Sequence, residues 1–121
     1  MSAFNDLKDM APLQIWPGLI ARALTGAEAT LAQIELEPEI DVPEHSHVNE
    51  QIGILTGGSL TFRIGDESRE LRPGGAWIIP AHVPHSVTAG PGGATLIELF
   101  VPARDDWADR EILEPRPPAG L

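Results

Sequence analysis

The sequence predicts an antiparallel all-β sandwich or barrel, and three observations carry that prediction. Twelve glycines and twelve prolines punctuate 121 residues, too many for a helical bundle and too few for a low-complexity chain. Short apolar runs recur about every eight to twelve residues, each bounded by turn residues. Between those runs no apolar period is long enough for a crossover helix, which excludes a parallel α/β sheet.

Taken in order, residues 1–18 include Asp6, Lys8, Asp9, Pro12 and Trp16-Pro17-Gly18, hold neither helical nor strand period, and read as an arm. Residues 19–24 and 29–36 read as two strands around a Thr25-Gly26 turn. In the second, Leu31, Gln33 and Glu35 alternate with Ala32, Ile34 and Leu36. Beyond Pro38 and Pro43, residues 51–55 and 59–64 read as a hairpin closed at Gly57-Gly58, with a further turn at Gly65-Asp66. Residues 70–72, 76–79, 86–89 and 95–101 complete the strands. Pro73-Gly74-Gly75, residues 80–84 and Gly90-Pro91-Gly92-Gly93 separate them. One helix is expected over residues 105–113, where Asp105 and Asp106 suit a first turn and Trp107, Ile112 and Leu113 could form an apolar stripe. The segment Glu114-Pro115-Arg116-Pro117-Pro118-Ala119-Gly120 reads as an extended, mobile tail. The plan is therefore an arm (1–18), a barrel (19–104), and a short helix with a Pro-rich tail (105–121).

Composition narrows the chemistry. A hydrophobic fraction of 42% with 21% charged residues supports an ordinary core. Eighteen acidic against eight basic residues give a formal charge of -10, which repels a phosphate backbone and excludes nucleic acid as a partner. The chain has no cysteine, so thiolate metal sites and cysteine nucleophiles are excluded, and a metal must use His, carboxylate or amide ligands. No apolar run approaches membrane-spanning length and the opening residues lack a basic segment before an apolar one, so a soluble cytoplasmic protein with no membrane partner is expected.

All four histidines fall between positions 45 and 85. In a strand, residues i and i+2 point the same way, so His45 and His47 can aim two imidazoles at one ion. The plainer alternative is a pair of solvated histidines beside an acidic turn. Pro84 fixes the backbone just before His85, a third candidate. Glu50 and Gln51 compete for a fourth position, and strand parity from His47 does not decide between them. His82 reads as a rim or solvated loop residue.

These segments resemble the cupin superfamily. Its first motif, H-x-H followed by a carboxylate and then glycine, is matched by His45-Ser46-His47-Val48-Asn49-Glu50-Gln51 and Gly58, with Gln51 at the carboxylate position. Its second, P-x-G before an apolar strand and P-H, is matched by Pro73-Gly74-Gly75, Ile79-Pro80 and Pro84-His85. The resemblance implies a single-domain jelly-roll β-barrel with one divalent metal near its mouth, held by His45, His47, Gln51 and His85. Such ligands suit nickel, zinc, iron, manganese or cobalt alike. A neutral Gln ligand would leave the ion's charge uncompensated and favour an anionic substrate.

Adding the closing run Glu98-Leu99-Phe100-Val101-Pro102-Ala103-Arg104-Asp105-Asp106-Trp107, the chain is similar to the small cupins of pectin and alginate catabolism, which ketonise unsaturated uronate monosaccharides to keto-deoxyuronates. That family's segment reads D-x-F-S-P-P-R-x-D-W or F, so Glu98 stands for Asp, Val101 for Ser and Ala103 for Pro. The resemblance implies substrate-facing, catalytic roles for Glu98, Phe100 and Arg104, and a small anionic sugar acid as substrate. Read without it, alternation leaves open whether Glu98 and Phe100 or Ile97, Leu99 and Val101 face the core, Arg104 pairs with Asp105 or Asp109 on the surface, and Trp77 and Trp107 belong to core or interface. Two other functions compete: a small metal-dependent cupin dioxygenase, and a noncatalytic sugar-binding or small-molecule-binding cupin. The arm, beside outward Ile52 or Ile54, could lend strands to a homodimer.

Overall fold

Among the described residues, alternating apolar side chains build a nine-stranded antiparallel sheet that curls round its own apolar face. The computed structural model describes residues 2–119; Met1 of the arm and Gly120 and Leu121 of the tail lie outside the described residues. The strands are β1 (Leu13–Trp16), β2 (Leu19–Thr25), β3 (Thr30–Leu36), β4 (Asp41–His45), β5 (Glu50–Ile64), β6 (Glu67–Leu71), β7 (Ala76–Ile79), β8 (His85–Val101) and β9 (Glu111–Ile112). The turns at Thr25-Gly26 and Gly65-Asp66 fall where expected, since Thr25 pairs with Thr30 and Ile64 with Glu67.

Two expected turns are instead creases. β5 and β8 run unbroken past Gly57-Gly58 and Gly90–Gly93, pairing with each other from Glu50 with Val101 to Ile64 with His85. Register shifts flank Gly57 and Gly58, and Gly58 and Gly93 adopt φ of 72° and 75°. A Cβ on Gly58 would lie 2.0 Å from the Gly93 carbonyl oxygen, so the two backbones touch where both strands bend. Before the bend, β5 pairs with β7 and with the far half of β8, which continues through β3, β2, β1 and β9. After it, β5 pairs with β6 and with the near half of β8, which also pairs β4. One folded sheet thus makes both walls of a jelly roll.

Between the walls lie Ala32, Ile34, Leu36, Leu55, Leu60, Ile79, Leu96 and Phe100, all buried. Each large aliphatic residue there contributes about 1.5 to 3 kcal/mol. On β8, Leu96, Glu98 and Phe100 point inward, while Ile97 and Leu99 are half-buried on the outer face and Val101 is exposed. Across that outer face Leu24, Leu31, Leu99, Ile52 and Ile78 stand in register.

The terminal segments differ from the sequence reading. Within the arm, β1 pairs with both β2 and β9 of its own chain, so both its edges are taken internally. The expected helix over residues 105–113 is a 3-10 helix, Asp105–Asp109, followed by β9. Trp107 lies five and six residues from Ile112 and Leu113, offsets that put them on different helical faces, so no apolar stripe forms. Trp107 alone is buried, against Phe100 at 5.1 Å between ring centroids.

The tail docks rather than trailing free. The Arg116 carbonyl accepts from Arg22 Nη2 at 2.8 Å and the Ala119 carbonyl from Gln33 Nε2 at 3.2 Å. The cause is Arg22, whose side chain has no exposed surface and pairs with Glu35. A buried guanidinium needs acceptors, and here Gln33, Glu35 and the Arg116 carbonyl serve its two Nη groups while Nε has none. Among the described residues no helix is long and apolar enough to cross a membrane.

Candidate metal centre

Three imidazoles converge at one end of the barrel. His45 ends β4, His47 lies in the following loop, and His85 opens β8 directly opposite His45 in register. Their candidate ligand atoms all lie within 4.8 Å of one another, and the ring centroids are 4.3 to 5.9 Å apart. His82 is exposed and outside this cluster; it adopts φ of 66°, and its backbone N–H donates to the His47 carbonyl at 2.8 Å.

Each imidazole is oriented by its own backbone. His45 Nδ1 lies 2.8 Å from the Pro43 carbonyl, His47 Nδ1 2.9 Å from that of Asn49, and His85 Nδ1 2.9 Å from that of Val83. A carbonyl only accepts, so each Nδ1 carries the proton and each Nε2 presents a lone pair. Burial lowers the His85 pKa to about 4, and burial, followed by the Arg104 charge, lowers that of His47. Neutral rings with free Nε2 lone pairs are what a divalent ion needs.

Two further contacts test the fit. His85 Nε2 is buried without any hydrogen-bond partner, an orphaned acceptor where such groups are normally satisfied. His47 Nε2 faces Gln51 Oε1 at 3.0 Å, so two acceptors meet without a proton between them. A cation shared by these atoms removes both anomalies, and the residues present fit one. Gln51 is buried and points inward from β5, whereas Glu50 is exposed.

The adjoining cavity, about 300 Å³, is lined by residues of β4, β5 and β8 together with Ile15 and Trp16 of β1 and Arg104, Trp107 and Arg110 of the closing segment. Glu98 lines it and is 3% exposed. Its carboxylate accepts from Gln51 Nε2 and, at 2.8 Å, from Trp77 Nε1. Burial outweighs those bonds and raises its pKa to about 7. Gly53 makes this arrangement possible, since a Cβ there would lie 2.6 Å from the Trp77 indole.

Arg104 forms the facing wall. Its Nε and Nη2 donate to the two oxygens of Asp106 at 3.0 and 2.9 Å, in place of the expected Asp105 or Asp109. Its guanidinium also sits 5.0 Å from the Phe100 ring centroid and 4.7 Å from that of Trp107. The sequence reading missed the part played by Trp77. Nothing in the sequence singles it out, since Trp107 is equally buried and leaves its Nε1 without a partner. Asn49, also missed, donates to the Pro102 carbonyl, tying the His47 loop to the end of β8.

A family model described as a cupin domain matches residues 32–101. Among solved structures, the chain resembles KdgF from Halomonas sp., with 24% identity over 88% of this chain and 98% of that one, at a TM-score of 0.79. It resembles equally an RmlC-like cupin from Shewanella frigidimarina NCIMB 400, at 24% identity, 89% and 97% coverage and a TM-score of 0.81. An oxalate decarboxylase variant from Bacillus subtilis shares 20% identity across 84% of this chain and 31% of that chain, with a TM-score of 0.70.

Proposed function

The chain belongs to the cupin domain family, and on that premise we propose that it is a metal-dependent isomerase that opens and ketonises unsaturated uronate monosaccharides. The observation that carries the reading is Glu98, an inward carboxyl of raised pKa on the same strand face as Phe100, hydrogen-bonded to Gln51 and lining the cavity beside the three histidines. His45, His47, His85 and Gln51 would hold the ion, which supplies Lewis acidity to substrate oxygens when bound.

The reaction is a redistribution of protons. Cleavage of the ring bond at the anomeric carbon, with loss of the anomeric hydroxyl proton, leaves a carbonyl there and an enol at the former ring oxygen. Ketonisation then adds a proton to the adjoining alkene carbon while the enol oxygen loses one, so product and substrate are isomers. Glu98, about half protonated at neutrality, is the group to deliver the carbon-bound proton. The unbonded edge of Arg104 would meet the sugar carboxylate, and Phe100 supplies an apolar wall that limits water around the enol.

Incubation of the metal-loaded protein with lyase-generated unsaturated uronates, following loss of the conjugated chromophore, tests the reading. Turnover without oxygen uptake is expected. Oxygen consumption would instead support a dioxygenase, and binding without turnover a noncatalytic cupin.

A further inference from the structure

The pocket's charge has a second source. In a chain of net charge -10, an anionic substrate is repelled unless the site itself is locally positive. Five of the eight basic residues are neutralised in ion pairs: Lys8, Arg22, Arg69, Arg72 and Arg104. Arg104 is thus charge-compensated by Asp106 and wedged against two rings, which makes it a shaped wall more than a net charge. Arg63 turns to the Gly65 carbonyl and Arg116 lies on the outer face over β2 and β3.

Arg110 alone remains at the cavity. It follows the 3-10 helix, its N–H bonded to the Trp107 carbonyl at 3.1 Å, and its side chain lines the same cavity as His45 and Arg104. No acidic partner for it exists among the described residues. Asp106, which feels its charge, has both oxygens committed to Arg104. Glu44 of β4 lines the cavity as well, so the rim carries one cation and one anion, a pairing that suits a hydroxylated monoanion. We propose that Arg110 is a charge-selecting residue of this cavity, one that adds to the bound ion and to Arg104 in making it prefer a sugar carboxylate to a neutral sugar. The inference rests on the uronate reading above and assigns charge selection to a residue that takes no part in the proton transfers.

The test is amide NMR titration of the zinc-loaded protein, convenient at 13.0 kDa, with D-galacturonate and with its neutral methyl ester, at low and high salt. Wild type is expected to bind the acid about tenfold more tightly than the ester, with the ratio shrinking as salt rises. Arg110→Gln should cut that preference several-fold without changing ester affinity, and Arg110→Lys should restore most of what is lost. An acid preference undiminished by Arg110→Gln, or a wild type without one, overturns the inference. Turnover of unsaturated uronate is scored separately. Loss of turnover with an Arg110-dependent acid preference would sink the isomerase and leave charge selection standing, whereas uronate turnover by Arg110→Gln at wild-type KM would do the reverse.

Discussion

Glu98→Gln in the metal-free protein isolates the energetic cost of the buried carboxyl. Folding moves its pKa from 4.5 to about 7, and at about 1.4 kcal/mol per pH unit the full effect is about 3 kcal/mol. The sign follows from linkage. A folded pKa above the unfolded one gives stability that is fully present below 4.5 and is lost as pH rises through about 7. Glutamine does not titrate, so the wild type must lose stability relative to the variant across that window. Near the isoelectric point of about 4.6 solubility is poor, so pH 5.5 and 8.5 are the practical limits, and about 2 kcal/mol of the effect falls between them. His47 and His85 titrate in both proteins and cancel. Thermal unfolding followed by circular dichroism should show the difference in Tm between the two proteins shifting by about 8 °C. Parallel pH profiles would refute the reasoning, because a carboxyl that reaches water in the folded state has no such shift.

His47→Ala and His85→Ala should each lower bound metal from one ion per chain toward none by elemental analysis, while far-ultraviolet circular dichroism stays native; full occupancy in both would remove the proposed ligands. Gln51→Glu should keep or tighten the metal yet raise KM for an anionic substrate several-fold, since the added carboxylate offsets the ion's charge. An unchanged KM at full metal content would count against it. Gly53→Ala drives a methyl group to 2.6 Å from the Trp77 ring and should cost about 1 to 3 kcal/mol by urea unfolding, whereas an unshifted midpoint would mean that the indole yields freely.

Much of this was legible because it depends on short-range geometry. The i, i+2 spacing drew attention to His45 and His47, which do converge although His47 lies in a loop rather than on the strand, and Pro84 flagged His85. The turns at Thr25-Gly26 and Gly65-Asp66 are local chemistry. What failed was non-local. Glycine pairs read as turns because glycine marks both a reversal and a close backbone approach, and only the partner strand distinguishes Gly58 against Gly93 from a hairpin. The parity of Glu98 was undecided because Ile97 and Leu99 are as apolar as Leu96 and Phe100; the polar atoms of Gln51 and Trp77 inside the barrel settle it. The tail read as mobile because its function is to cover a charge far away in sequence.

That cover imposes an order of events on the chain. Arg22 and the Arg116 carbonyl that caps it are 94 residues apart, and the strand that closes β1, Glu111–Ile112, is also late. During ribosomal synthesis the β2–β3 hairpin therefore emerges with Arg22 paired to Glu35 but without the Arg116 and Ala119 carbonyls that later cover that face. Until residues 116–119 are made, water must solvate that face. The order is built into the topology: the β2–β3 face stays wet until residues 116–119 dock on it.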